Sequence, residues 1–211
     1  MRKLLLFAIL VVLNYVGHTA PASESLEDEL KDIMQLLPKD FIKNIASEHL
    51  KTDEGFKAAI KYMQSEEWIN LIEAVKHKPE WIALKNYLKL SGLDLEVMIH
   101  YLEMFAQNTT ITLDPNSPPQ KKSFKSFIVD VEQNFPTVKF ITAVKEKMAT
   151  GTLQQLFDRL SSAESRKLLE AVIALPEVKK IMEIMMDMDV NLYDLLSLLY
   201  TLFGWGEFKH D

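Results

Sequence analysis

The chain repeats itself. Leu71-Ile72-Glu73-Ala74-Val75 followed by Pro79-Glu80 returns as Leu168-Leu169-Glu170-Ala171-Val172 followed by Pro176-Glu177, an offset of 97 residues. The register holds across a long stretch: Ser65 meets Ser162, Glu67 meets Glu164, Leu95 meets Leu192 and Leu102 meets Leu199. Upstream it shifts to 98, where Leu37-Pro38 meets Phe135-Pro136. A period this long exceeds the roughly 20–50 residues of solenoid repeats, so each copy is a multi-helix half rather than one stacking unit. What recurs is apolar spacing, helix punctuation and a few acids. No catalytic constellation recurs, which points to a built shape rather than a reaction centre.

Composition narrows the shape. The 211 residues are 48% hydrophobic and 26% charged, with 6 glycines and no cysteine. Leu, Lys, Glu, Met and Ala are good helix formers, and no segment alternates long enough to argue for a sheet. Absent cysteine excludes thiol catalysis and the disulfide-stapled helical lipid carriers, so stability must come from helix packing. The N-terminus has basic Arg2 and Lys3, an apolar run from Leu4 to Leu13, then small residues. This reads as a secretory signal over 1–22, cut after Ala22, and too short to be a comfortable membrane span. Its removal takes the formal charge from -6 to -8. An acidic chain argues against nucleic acid and against recruitment to anionic lipid by charge alone.

Each half reads as about six short helices, a first repeat over 23–106 and a second over 124–206. Leu26, Leu30, Ile33, Met34 and Leu37 form the first face, and Phe41, Ile42, Ile45, Ala46 and Leu50 the second. A third helix follows Thr52-Asp53. Ser65 is an N-cap for the fourth, Pro79 opens the fifth, Gly92 ends it, and Asp94 caps the sixth. Pro136, Ser162, Pro176 and Asn191 take the corresponding places in the second half. The sixth helices are apolar nearly all round, which predicts burial on every side and closure of the halves into one globule. Between them, 107–123 reads as an exposed linker with Pro115, Pro118 and Pro119, and 207–211 as a frayed tail. Asn108-Thr109-Thr110 is an N-glycosylation sequon, a surface marker in a secreted glycoprotein.

Few residues offer chemistry. His49, His77, His100 and His210 form no metalloprotease-type pair. Glu96, His100 and Glu103 share a helix face that reads as an exposed polar stripe rather than a metal site. No nucleophile elbow, phosphate loop or dinucleotide fingerprint is present. Asp187 and Asp189 read as solvated loop charges. These features predict a protein that is not an enzyme, with no catalytic residues, metal or cofactor. Met182, Met185, Met186 and Met188 crowd into seven residues. Methionine suits surfaces that accept varied apolar partners, but core filling is the simpler reading, as it is for Trp68, Trp81 and Trp205.

Leu-Leu-Pro-Lys-Asp-Phe-Ile (36–42), Tyr-Met-Gln-Ser-Glu-Glu-Trp (62–68), Pro-Glu-Trp (79–81) and Ser-Gly-Leu-Asp (91–94) carry a resemblance. They are similar to the insect allergen repeat family, which includes the group 1 cockroach allergen, mosquito midgut microvillar proteins and butterfly nitrile-specifier proteins. The chain most resembles the mosquito type. The resemblance implies an all-α shell of about twelve helices around a large apolar cavity holding fatty acids or phospholipid tails. It also implies secretion to the midgut lumen or microvillar surface.

If the halves enclose such a cavity, its lining should come from inward apolar positions. In the first half these are Phe56, Ile60, Leu71, Val75, Leu84, Leu88, Met98, Leu102 and Phe105; in the second, Leu156, Phe157, Leu168, Val172, Ile181, Met185, Leu195, Leu199 and Leu202. The expected partners are lipids, with transient membrane contact, no nucleic acid and a monomeric chain. A carrier that trades lipid with membranes would also be membrane-lytic. The rival readings are a detoxification factor like the nitrile-specifiers and an inert structural gut protein.

Overall fold

The computed structural model describes residues 39–113, 120–150 and 152–209, and within them all side chains but those of residues 39, 40, 97, 98, 101, 102, 147–150 and 152. The expected leader, the helix from Leu26 to Leu37, the three linker prolines and His210 lie outside the described residues. Among these residues the fold is all-α, with eleven helices and no strand. They are α1 (Lys39–Thr52), α2 (Glu54–Met63), α3 (Glu66–Lys76), α4 (Pro79–Leu90), α5 (Leu95–Asn108), α6 (Lys125–Asn134), α7 (Thr137–Thr150), α8 (Thr152–Leu160), α9 (Ala163–Ile173), α10 (Pro176–Asp187) and α11 (Leu192–Leu202). The starts of α3, α4 and α5 recur 97 residues on as those of α9, α10 and α11.

Local chemistry places these ends. Ser65 accepts from the Trp68 N–H at 3.3 Å and Ser162 from the Ser165 N–H at 3.1 Å, each satisfying a backbone donor that the first turn leaves unpaired. Asp53 caps α2 through Phe56 N–H at 2.9 Å, Asp94 caps α5 through Glu96 N–H, and Asn191 caps α11 through Asp194 N–H. Pro79 and Pro176 stand at the first turns of α4 and α10, where no side chain caps the helix.

The ends of α4 and α10 show one backbone motif solved by two residues. At α4 the Leu93 N–H reaches Leu88 C=O and Gly92 N–H reaches Lys89 C=O, with Gly92 at φ 88°. At α10 the Val190 N–H reaches Met185 C=O and Asp189 N–H reaches Met186 C=O, with Asp189 at φ 66°. Both are Schellman closures, which need a left-handed residue that glycine adopts without strain. Asp189 adopts it with a second role: its carboxylate accepts from Ser123 Oγ at 2.7 Å and pairs with Lys121 Nζ at 3.0 Å. The sequence reading of Asp189 as a solvated charge is thus corrected, because the end of the linker folds back over α10. Asp189→Ala is expected to lower stability by about 1–3 kcal/mol, from lost hydrogen bonds and left-handed strain on a residue with no local side-chain acceptor. Asp189→Asn, which tolerates the same backbone, should lose less in a urea titration.

Packing crosses the sequence midpoint. Helix α3 lies against α10, and α4 against α9, so the helices at corresponding positions exchange partners. At the second contact Tyr87 donates to the Arg159 carbonyl at 2.8 Å and lies 2.9 Å from Ser162 Oγ, the α9 cap. A main apolar cluster joins Ala46, Phe56, Ala59 and Ile60 to Phe124, Ile184, Met188 and Val190. Two of the clustered methionines, Met182 and Met188, are buried core residues, while Met186 is exposed. The linker is not wholly exposed, since Ile111 packs on the same cluster and Ser123 N–H bonds to Gly55 C=O. A Cβ at Gly55 would meet Lys121 O at 3.1 Å, so this close approach favours glycine.

Two expectations need correction. Helix α11 is not buried all round: Leu196 and Tyr200 face inward, whereas Leu202 is 40% exposed. Its apolar excess instead receives the C-terminal residues. Trp205 packs edge-on against Tyr200 at 5.4 Å and Phe208 against Tyr200 at 5.0 Å. Trp205 Nε1 donates to Ser161 C=O at 2.7 Å, and Arg166 donates to Trp205 C=O at 2.9 Å. Of the segment expected to fray, 207–211, Phe208 is docked through its ring contacts with Tyr193 and Tyr200, while Glu207 and Lys209 are exposed.

Candidate ligand pocket

Helices α2, α3, α5 and α6 meet around an apolar pocket of about 490 Å³. Phe56 and Ile60 of α2 contribute to its lining, 1% and 2% exposed. Their burial follows from i, i+4 spacing on an amphipathic helix that leaves Lys61 exposed, while Lys57 is itself buried and paired with Glu54. Phe124 and Phe127 at the start of α6 add two rings, at 5.6 and 5.1 Å from Phe56. Helix α3 supplies Trp68, Ile69, Ile72 and Val75, and α5 supplies Ile99, Phe105 and Ala106. Val172 of α9 with Val178 and Ile181 of α10 complete the lining from the other half. The pocket is partly open, and its volume falls within the roughly 300–1,000 Å³ typical of small-molecule sites.

The sequence-derived lining residues divide. Phe56, Ile60, Val75, Phe105, Val172 and Ile181 all face this pocket. Leu71 and Met185 pack instead against the central cluster. Leu84 and Leu156 are buried elsewhere, and Phe157 stacks on Phe203 at 5.5 Å. Leu88, Leu168, Leu195 and Leu199 are half-buried away from the pocket, and Leu202 is exposed. The side chains of Met98 and Leu102 lie outside the described residues. Trp68 and Trp81, read from sequence as core, both line the pocket. Phe124 and Phe127 were missed because they adjoin the linker, although Phe124, Phe127, Ile128 and Val131 carry a helical apolar period.

The pocket has a charged rim. Lys76 Nζ donates to Glu73 at 2.8 Å and to Glu103 at 2.5 Å. Burial pushes the Lys76 ammonium down, but Glu103 and Glu73 outweigh it and hold its pKa above the usual lysine value. The Lys76 hydrogen bond holds the Glu73 carboxyl below its usual range. Trp81, Ile99, Lys76 and Glu103 also border a second, polar pocket of about 200 Å³, together with Glu96 and His100. Glu96 is paired with Lys85 at 2.5 Å. Among the described residues no group of three or more His, Asp or Glu converges as a metal site.

The register at 97 explains why this rim differs from its counterpart. Glu73 and Glu103 correspond to Glu170 and Tyr200. There Tyr200 donates directly to Glu170 at 2.8 Å, and Trp205 and Phe208 cover the tyrosine. Burial, followed by the Glu170 carboxylate, pushes the Tyr200 hydroxyl up to about 12, so it remains a neutral donor. In the first half two acids cannot pair with each other, and Lys76 bridges them.

Beside the pocket, His49 is buried between Phe56 and Phe127, with its ring nitrogens 3.1 Å from Asp53 and 2.9 Å from Asp130. It ties α1 to α6. Burial pushes the Asp53 carboxyl up, but hydrogen bonds from Ser126, the Phe56 N–H and His49 outweigh it and hold the pKa below the ordinary 3.8. A depressed folded-state pKa gives stability that is present above the unfolded value and lost as pH falls through the folded one. Stability is therefore expected to drop below about pH 4. Asp53→Asn should flatten that part of a melting-temperature profile, and an unchanged acid limb would overturn the assignment.

Among the described residues the chain is thus an all-α protein, without cysteine, whose helices leave an apolar pocket of small-molecule size between them. The family model for the insect allergen related repeat, described as nitrile-specifier detoxification, matches residues 25–196. The chain belongs to this family. It is also 20% identical over 192 residues to Protein G12 of Anopheles gambiae, covering 89% of this chain and 91% of that protein. Among the described residues no helix is long and apolar enough to cross a membrane.

Proposed function

We propose that this chain is a secreted midgut lipid-binding protein that holds fatty acids or phospholipid acyl chains. The observation that carries the reading is the pocket of about 490 Å³ lined by Phe56, Ile60, Val75, Phe105, Val172 and Ile181. An apolar space of this kind is costly when empty and gains stability when acyl chains fill it. Each buried methylene contributes roughly 0.8 kcal/mol before ordering costs. The basic start and the apolar run from Leu4 to Leu13 support secretion, and the likeness to a mosquito protein supports an insect setting. The activity is binding rather than catalysis.

Solvent extraction of natively purified protein, followed by lipid mass spectrometry, tests the proposal. Acyl lipids should co-purify, and stripped protein should take up a fluorescent fatty acid. No lipid and no uptake would leave a structural protein. Exchange with membranes is a corollary: stripped protein should make liposomes leak and red cells lyse, and loaded protein should do so less. The family description favours a second reading, in which the pocket holds a diet-derived compound during detoxification. Product analysis with myrosinase and a glucosinolate separates the two, since a pure lipid carrier leaves the product ratio unchanged.

A further inference from the structure

The two pockets share Lys76, Trp81, Ile99 and Glu103. One is mainly apolar in lining; the other is bordered by Lys76, Trp81, Glu96, Ile99, His100 and Glu103. Adjacency of this kind suits an amphiphile whose chain and head must be solvated differently. The charges around the polar pocket decide which head fits. Glu73, Glu96 and Glu103 stand against Lys76 and Lys85, and Lys76 is already bridged to two of the acids. One negative charge is therefore in excess. A carboxylate head would enter among like charges and compete with Glu73 and Glu103 for the same ammonium. An ammonium head meets the opposite balance, with the Glu96 and Glu103 carboxylates and the Trp81 ring in the same lining.

Lys76 adds a second requirement. Its ammonium has three donors, of which Glu73 and Glu103 take two. The third can meet an anionic oxygen next to the ammonium of the same head. Lys76 and Glu103 side chains are only 28% and 27% exposed, so these interactions are less screened than those of a surface pair.

We propose that the polar pocket is a head-group subsite for a zwitterionic amphiphile, its ammonium held by Glu103, Glu96 and Trp81 and its phosphate by Lys76, while the acyl chain occupies the apolar pocket. The inference rests on the lipid-binding reading and adds selectivity against free fatty acid.

Stripped full-length protein should be titrated with a single-chain phosphocholine lipid, a fatty acid and a monoacylglycerol of the same chain length, each displacing a fluorescent fatty acid. The phosphocholine lipid should bind roughly tenfold tighter than the fatty acid, about the effect of one partly desolvated cation contact. Glu103→Gln and Trp81→Leu should remove most of that preference, read in each variant as the ratio of phosphocholine-lipid to monoacylglycerol affinity, because both residues also line the apolar pocket. Glu96→Gln, at a more exposed site, should reduce it without a change in folding by circular dichroism. Equal binding of all three heads, or tighter binding of the fatty acid, overturns the subsite and leaves the lipid reading standing. Failure of every chain-bearing probe to bind overturns both.

Discussion

Phe56→Ala is expected to lower the stability of the chain by about 3–5 kcal/mol, the usual cost of truncating a fully buried phenylalanine. Phe56 is 1% exposed, and its ring meets His49, Phe124 and Phe127 at 5.5, 5.6 and 5.1 Å. The truncation removes contacts that tie α2 to α1 and α6 together. It also leaves a void contiguous with the pocket that Phe56 and Ile60 line, so the lost volume adds to space that is already unfilled. For a chain of 211 residues the melting temperature should fall by roughly 6–20 °C. Ile82→Ala, at a position 41% exposed, should change stability by about 0.5 kcal/mol or less. Calorimetry of the two variants checks the contrast, and comparable losses in both would overturn the assignment of Phe56 to the core.

Removing lipid is expected to destabilise the wild-type protein measurably. A ligand at a hundred times its dissociation constant stabilises the folded state by about 2.7 kcal/mol. For this length that corresponds to a rise in melting temperature of roughly 5–11 °C. Stripped protein should melt lower by that margin and recover it on adding a long-chain lipid. Ile181→Trp, which replaces a branched aliphatic side chain by a bulky indole in the pocket lining, should melt close to stripped wild type and show no lipid-dependent rise. A lipid-dependent shift that survives in Ile181→Trp would place the ligand elsewhere. Identical curves for stripped and loaded wild type would remove the energetic basis of the binding proposal.

Both predictions depend on a site only partly legible in the chain. Helix punctuation was readable because it is local. Ser65, Asp94, Ser162 and Asn191 act on backbone groups two or three residues away, and Pro79 and Pro176 need only the first turn. The apolar faces were readable for the same reason, since helical period is a property of neighbours in sequence. Pocket membership was not. Leu84 and Val75 look alike as inward positions, yet Val75 lines the pocket and Leu84 is buried away from it. The difference lies in which partner helix crosses each residue, and no local period encodes that.

The duplication held the same limit. Sequence alone established an all-α chain with matched caps, matched helix starts and no cysteine framework, because each follows from residue type and short-range geometry. Long-range packing determined that Asp189 anchors the linker, that Trp205 and Phe208 cover Tyr200, and that Lys76 bridges Glu73 and Glu103 beside an open pocket. Corresponding positions thus acquired different surroundings. A side chain's period says which way it faces along its own helix, while its environment depends on contacts made tens of residues away.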